Sequence, residues 1–138
     1  MIYEATRYTV RPGCVDACKD AVRELVDYVR GSEEGTLLYV VLQEDDDERR
    51  FLHLATFENR RSREVHRSSD AMRFFLNLVY PATMDGISVT ETTVVDRIPT
   101  RRARRMSVLI RSPTNRASAG RVPIARSAIS KMRGCGLR

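Results

Sequence analysis

An α+β domain with the element order β-α-β-β-α-β is predicted for this chain by three observations. Residues 2–10, 36–43, 51–58 and 87–95 are rich in β-branched and aromatic residues and are bounded by turn formers, as strands are. Residues 15–29 and 60–80 instead place apolar side chains at steps of three and four, the spacing of amphipathic helices. The whole sequence is 138 residues long, which is room for one compact core of ordinary size.

Each element has a local reason. The first strand, IYEATRYTV, alternates apolar and polar residues and runs into Pro12-Gly13, a turn signal. Val15, Cys18, Val22, Leu25 and Val29 then mark one face of a helix, with Asp16, Asp20, Glu24 and Asp27 between them. Gly31 is its expected stop, and Gly35 opens the next strand. That strand, TLLYVVLQ, is apolar on both faces, with Leu37, Tyr39 and Val41 on one and Leu38, Val40 and Leu42 on the other. A strand of this kind must be covered on both sides. The acidic run EDDDERR makes a solvated hairpin tip, and FLHLATFE returns as the third strand. Over residues 60–80, Val65, Met72, Phe75, Leu76 and Val79 fall at helical spacing. A break is expected at Ser68-Ser69-Asp70, where a serine or aspartate can cap a new turn. ISVTETTVV is the fourth strand. This order is the split βαβ arrangement of a ferredoxin-like protomer, with helices on a single face of the sheet. The economical cover for the other face is a second copy of the same sheet.

The formal charge of +6 is unevenly placed. Residues 1–97 hold 13 Lys/Arg against 18 Asp/Glu, whereas residues 98–138 hold 11 Lys/Arg and no acid. All nine aromatic residues precede residue 81. A strongly charged segment without aromatics has little apolar surface with which to offset its ordering entropy. The chain is therefore divided into a domain over 1–97 and a basic, disordered extension over 98–138. The N-terminus carries Glu4 and Arg7 within its first strand, unlike a signal peptide. No window approaches the roughly 20 apolar residues of a membrane helix, so a soluble, cytoplasmic protein is expected. Cys14 and Cys18 lie four apart without a second pair to complete a zinc site, and the three thiols are expected to be reduced, with no metal.

Taken in order, these pieces resemble a known family. They are the opening strand with Pro12-Gly13, the Gly35-Thr36-Leu37 start of the second strand, the third strand ending in Phe57-Glu58, and the helix in which His66 precedes Ser68, Ser69 and the Phe74-Phe75 pair. Over about residues 3–95 the chain resembles the antibiotic biosynthesis monooxygenase domain, a branch of the dimeric α/β-barrel superfamily. The resemblance implies a homodimer with two sheets back to back, a dimeric α/β barrel. It also implies oxygenation of small phenol- or quinol-type aromatics by molecular oxygen, with no cofactor, although the family includes members without established activity. Ala55 and Phe57 stand where the family's third strand often has a glutamate and then an aromatic that is frequently Trp, and this chain has no Trp.

Oxygenation of that kind needs a base near neutrality to take the phenol's proton, and a dry pocket to shield reactive intermediates. An imidazole meets the first demand, and His66 is the candidate catalytic residue. One residue after Val65, it lies about 100° from the apolar stripe, at the margin of core and solvent. A purely structural His66 would instead bond a carbonyl or carboxylate and fix the helix break. The candidate substrate-binding residues are Tyr39, His53, Phe57, Phe74 and Phe75, with Leu38 and Val40 added according to their facing. Tyr39 can donate a hydrogen bond to a substrate oxygen. Phe74 and Phe75 are adjacent on a helix and cannot both face inward. Arg60, Arg61, Arg63 and Arg67 read as a solvated helix face, supported by Arg60 and Glu64 at i,i+4. A competing reading is a non-catalytic barrel that binds a small apolar ligand. RNA recognition on such a sheet would need the glycines and basic lead of an aromatic stacking motif, which FLHLATFE lacks. Nucleic acid could then be contacted only by the basic tail.

Overall fold

The structure of the chain is a computed structural model that describes residues 1–99 and 126–135. Four strands, β1 (Ile2–Thr9), β2 (Thr36–Gln43), β3 (Arg50–Phe57) and β4 (Ser88–Thr92), form one antiparallel sheet in the order β2-β3-β1-β4. Helix α1 (Val15–Ser32) crosses between β1 and β2. Helices α2 (Arg60–Ser68) and α3 (Asp70–Val79) cross between β3 and β4, and a 3₁₀ turn follows over Tyr80–Ala82. This is the predicted α+β, ferredoxin-like arrangement.

The period-2 pattern of the strands sorts residues between the two faces of the sheet. Tyr8 pairs with Phe51 and Glu4 with Ala55 across β1 and β3, and these alternate positions face the helices. Tyr8, Val10, Phe51 and Phe75 pack there with Ala17, Cys18, Ala21, Leu25 and Val29 of α1 as the main core. Small residues dominate the buried stripe of α1, which lets the helix lie close over the sheet. Gly31 does not end α1, which continues to Ser32. The Glu33 N–H closes the helix on the Val29 carbonyl, 3.1 Å away.

The long segment over 60–80 breaks at Ser69, as the serine cluster predicts. The Ser69 hydroxyl accepts from the Met72 N–H at 3.1 Å and begins α3. Asn59 does the same for α2, accepting from the Ser62 N–H at 2.9 Å. Gly35 is required by close approach: a Cβ there would lie 2.1 Å from Ser62 Oγ and 2.6 Å from its Cβ. That proximity holds the start of β2 against α2.

Two expectations change. Within the basic segment over 98–138, residues 126–134 form a helix, α4 (Arg126–Gly134), seated on α1 with Ala128 and Met132 buried. Residues 100–125 and 136–138 lie outside the described residues. Cys135, just after α4, is disulfide-bonded to Cys14 at the start of α1, so two of the three cysteines expected as thiols are oxidised. Cys18 is the free thiol and is buried. The bridge complements the buried Met132 contact and the Lys131 to Asp20 ion pair at 2.6 Å, which tie the same two helices together.

The sheet face away from the helices carries Leu38, Val40 and Leu42 of β2 with Leu52 and Leu54 of β3. Leu38 and Leu42 are 51% and 46% exposed within the single chain. Leu37 is also exposed, because a bulge between Thr36 and Leu38 breaks the expected alternation. No described helix is long and apolar enough to cross a membrane.

Candidate functional site

Between the helix face of the sheet and α2–α3 lies a cavity of about 460 Å³. Its floor comes from β1, β3 and β4, through Glu4, Thr6, His53, Ala55, Phe57 and Val89. Its wall comes from His66, Arg67, Met72, Phe75 and Leu76, with Tyr39 of β2 at one side. Of the predicted set, Tyr39, His53, Phe57, His66 and Phe75 all line this space. Phe74 does not; one step along α3 turns it away, while Phe75 is buried. Leu38 and Val40 lie on the opposite face of the sheet.

His66 is buried, at 4% exposure, rather than marginal, and Val65 beside it is 50% exposed. The inward face of α2 is thus polar. Arg63, His66 and Arg67, at positions i, i+3 and i+4, reach towards acids supplied by other elements. Glu33, delivered by the C-terminal end of α1, receives the His66 Nδ1–H at 2.8 Å and the Thr36 hydroxyl at 2.7 Å on the same oxygen, Oε2. Arg67 bonds Glu4, and Arg63 lies 3.6 Å from Glu4 and 2.9 Å from Glu91. The arginines read from sequence as a solvated face therefore divide, with Arg63 and Arg67 anchoring α2 to the sheet and Arg67 forming part of the cavity wall. Glu4 and Glu33 were not singled out by sequence; only the spacing of Arg63, His66 and Arg67 hints that α2 turns a charged side inward.

Burial opposes the charge on Glu33, but the hydrogen bonds from His66 and Thr36, with the charge of His66, outweigh it and hold the carboxyl below its ordinary range. Its second oxygen, Oε1, is buried without a hydrogen-bond partner among the described residues. The pair fixes the imidazole: Nδ1 is occupied by Glu33, and Nε2 has no hydrogen-bond partner among the described residues. The ring packs against Tyr39 and Phe57, with centroid separations of 5.1 and 5.2 Å. A carboxylate that orients an imidazole through one nitrogen leaves the other available to take a proton.

His53 is placed differently. Tyr8 OH sits 2.8 Å from its Nε2 and Tyr39 OH 2.9 Å from its Nδ1, so both ring nitrogens are engaged. Burial, reinforced by the charge of His66, lowers its pKa from 6.5 to about 4, and the ring is neutral at pH 7. Burial likewise raises the Tyr8 and Tyr39 hydroxyls well above the usual phenol range, assisted by nearby Cys18 for Tyr8 and by Glu33 and Glu4 for Tyr39. Both remain protonated donors. Among the described residues no group of three or more His, Cys, Asp or Glu is placed to hold a metal ion.

The sequence over residues 1–77 matches the family described as "Antibiotic biosynthesis monooxygenase". No curated protein matches the chain. Among solved structures, an antibiotic biosynthesis monooxygenase superposes with a TM-score of 0.65 at 19% identity, covering 70% of this chain and 100% of the other. A protein assigned to the same activity in Nitrosomonas europaea gives 0.63 at 18% identity, covering 70% and 100%. One so assigned in Caulobacter crescentus gives 0.64 at 16% identity, covering 69% and 90%. At these identities the superpositions establish the common fold.

Proposed function

We propose a function from the premise that this chain belongs to the antibiotic biosynthesis monooxygenase family: cofactor-independent monooxygenation of a small phenol- or quinol-type aromatic. The observation that carries this reading is the Glu33–His66 pair beside an aromatic-lined cavity. His66 Nε2 takes the phenolic proton, and Glu33 stabilises the imidazolium that results. The phenolate passes an electron to molecular oxygen. Its ring then gains one oxygen atom while the other leaves as water, the substrate itself being the reductant: a phenol and O₂ become a quinone and water. Phe57, Phe75 and Met72 exclude bulk water from this exchange, and Tyr39 and His53 complete the substrate-binding set.

The partner in this reading is a second copy of the chain, packed through the apolar outer face that includes Leu38 and Leu42. The alternative is a non-catalytic barrel that holds a small apolar ligand; it is favoured by Ala55, a methyl group in the cavity floor where the family often has a carboxylate. Oxygen uptake with a panel of quinols separates the two. His66→Ala is expected to lower turnover by about 10²-fold or more, the scale of general-base loss, while the protein stays folded. Unchanged oxygen consumption in that variant would assign His66 to structure alone.

A further inference from the structure

Behind the cavity the structure holds a buried row of donors and acceptors that the His66 chemistry does not use. Cys18 Sγ lies 3.6 Å from Tyr8 OH, Tyr8 OH is 2.8 Å from His53 Nε2, and His53 Nδ1 is 2.9 Å from Tyr39 OH. Four elements converge to build it, with Cys18 on α1, Tyr8 and His53 on the paired strands β1 and β3, and Tyr39 on β2 at the cavity. A neutral imidazole carries one N–H, so it donates at one nitrogen and accepts at the other. Each tyrosine hydroxyl has one hydrogen to place. The row can therefore run in only two self-consistent directions.

In the inward direction Tyr39 donates to Nδ1, Nε2–H donates to Tyr8, and the Tyr8 hydrogen points at the Cys18 sulfur. In the outward direction the Cys18 S–H points at Tyr8, Tyr8 donates to Nε2, and Nδ1–H donates to the Tyr39 oxygen. Only then is the Tyr39 hydrogen free for a partner in the cavity. Both directions keep one proton on the imidazole, moved from Nε2 to Nδ1 by exchange with solvent, and both tyrosines keep their own. The directions differ by one strong hydrogen bond at the cavity end. Without an acceptor there, the inward direction satisfies every strong donor internally; an acceptor in the cavity favours the outward one. Burial holds the Cys18 thiol up at about 11, so its proton stays in place throughout.

We propose that this row is a reversible hydrogen-bond relay whose outward direction presents the Tyr39 hydroxyl hydrogen to a carbonyl or phenolate oxygen of the bound ligand, with Tyr8 and His53 as positioning residues. It rests on the cavity being the ligand site proposed above, but not on any reaction taking place there. The ligand class is an aromatic whose oxygen accepts a hydrogen bond. Ligand binding and the tautomer of His53 are then one equilibrium.

The chain contains only two histidines, and Cys18 is its one free thiol when Cys14 and Cys135 are bridged, so both ends of the relay can be read directly. Acetophenone, an aromatic ketone that only accepts hydrogen bonds, is the probe. It is titrated into protein labelled with ¹⁵N-histidine, and the two-bond ¹H–¹⁵N pattern reports the tautomer. His53 is expected to move from the Nε2–H towards the Nδ1–H form as the probe saturates, and the Cys18 S–H stretch in the infrared to shift with it. Tyr39→Phe should abolish the tautomer change and weaken acetophenone binding about five- to tenfold, the range of one neutral hydrogen bond. Tyr8→Phe should leave the S–H stretch insensitive to the probe. Acetophenone binding with an unmoved His53 tautomer would overturn the relay, and absence of binding would overturn Tyr39 as the recognition group. His66→Gln separates the relay from the oxygenase reading, since it should stop oxygen consumption while the tautomer change persists.

Discussion

Replacing Glu33 with Gln keeps the shape of the pair with His66 but removes the charge that stabilises a protonated imidazole. Turnover should fall about tenfold or more, read as kcat of oxygen uptake. His53 makes a different prediction, about stability. Its folded pKa of about 4 lies below the unfolded value of 6.5, so the unfolded chain binds more protons between those limits. Its stabilising contribution is complete above pH 6.5 and is lost as pH falls towards 4, by roughly 3 kcal/mol in all. Thermal melts across pH 4–7 should show the decline, and His53→Gln should flatten it. The depressed carboxyl of Glu33 acts at the lower edge, losing its contribution as pH falls below 4.5. At this scale the sequence reveals which residues can do chemistry but not which way they face. Val65 looks like the buried residue of its pair, yet His66 is inside because α1 ends where it can offer Glu33. No periodicity within α2 encodes an acid held by another helix.

Elements were legible where the local signal is self-contained. The Ser69 break and the Pro12-Gly13 turn depend on residues adjacent in sequence, as does the Asn59 cap that the structure adds at the start of α2. Removing either cap by Ser69→Ala or Asn59→Ala should cost about 1 kcal/mol in denaturant unfolding. Gly35→Ala should cost roughly 1–3 kcal/mol, because the new Cβ meets Ser62 at 2.1 Å, and Ser62→Gly should restore much of the loss. Helix α4 was not legible. Among its described side chains, Ala128 and Met132 mark the buried side, within an arginine- and serine-rich segment, and what holds it is the surface of α1 together with a cysteine far away in sequence. The three cysteines read as reduced thiols, because nothing across the 121-residue separation of Cys14 and Cys135 signals that the fold brings them together.

For the whole molecule, the apolar outer face of the sheet sets the assembly expected in solution. Light scattering at micromolar concentration should report a dimer, and Leu42→Lys should convert it to a monomer that retains its circular dichroism. The boundary proposed at residue 97 has its own test. A 1–97 protein keeps the complete sheet and α1–α3, but it loses the Met132 contact, the Asp20 ion pair and the bridge to Cys14. Its melting midpoint should lie below that of the oxidised full chain. Reducing the full chain should lower its midpoint by part of that difference, since a cross-link closing a long loop is worth about 2–4 kcal/mol.

The bridge between Cys14 and Cys135 also decides how the molecule bears a load. Nearly the whole chain lies inside the covalent ring it closes, and tension applied at the two ends passes from α1 to Cys135 without reaching the strands between. Only the residues before Cys14 and after Cys135 can be drawn out, and among them is β1, a central strand of the sheet. In single-molecule stretching the oxidised protein should therefore lengthen by roughly 50 Å, and the reduced protein by roughly 400 Å or more, at about 3.5 Å per extended residue. The first event in the oxidised protein should be the withdrawal of β1 from between β3 and β4, which would remove Glu4 and Tyr8 from the cavity side of the sheet while leaving Glu33 and His66 inside the ring.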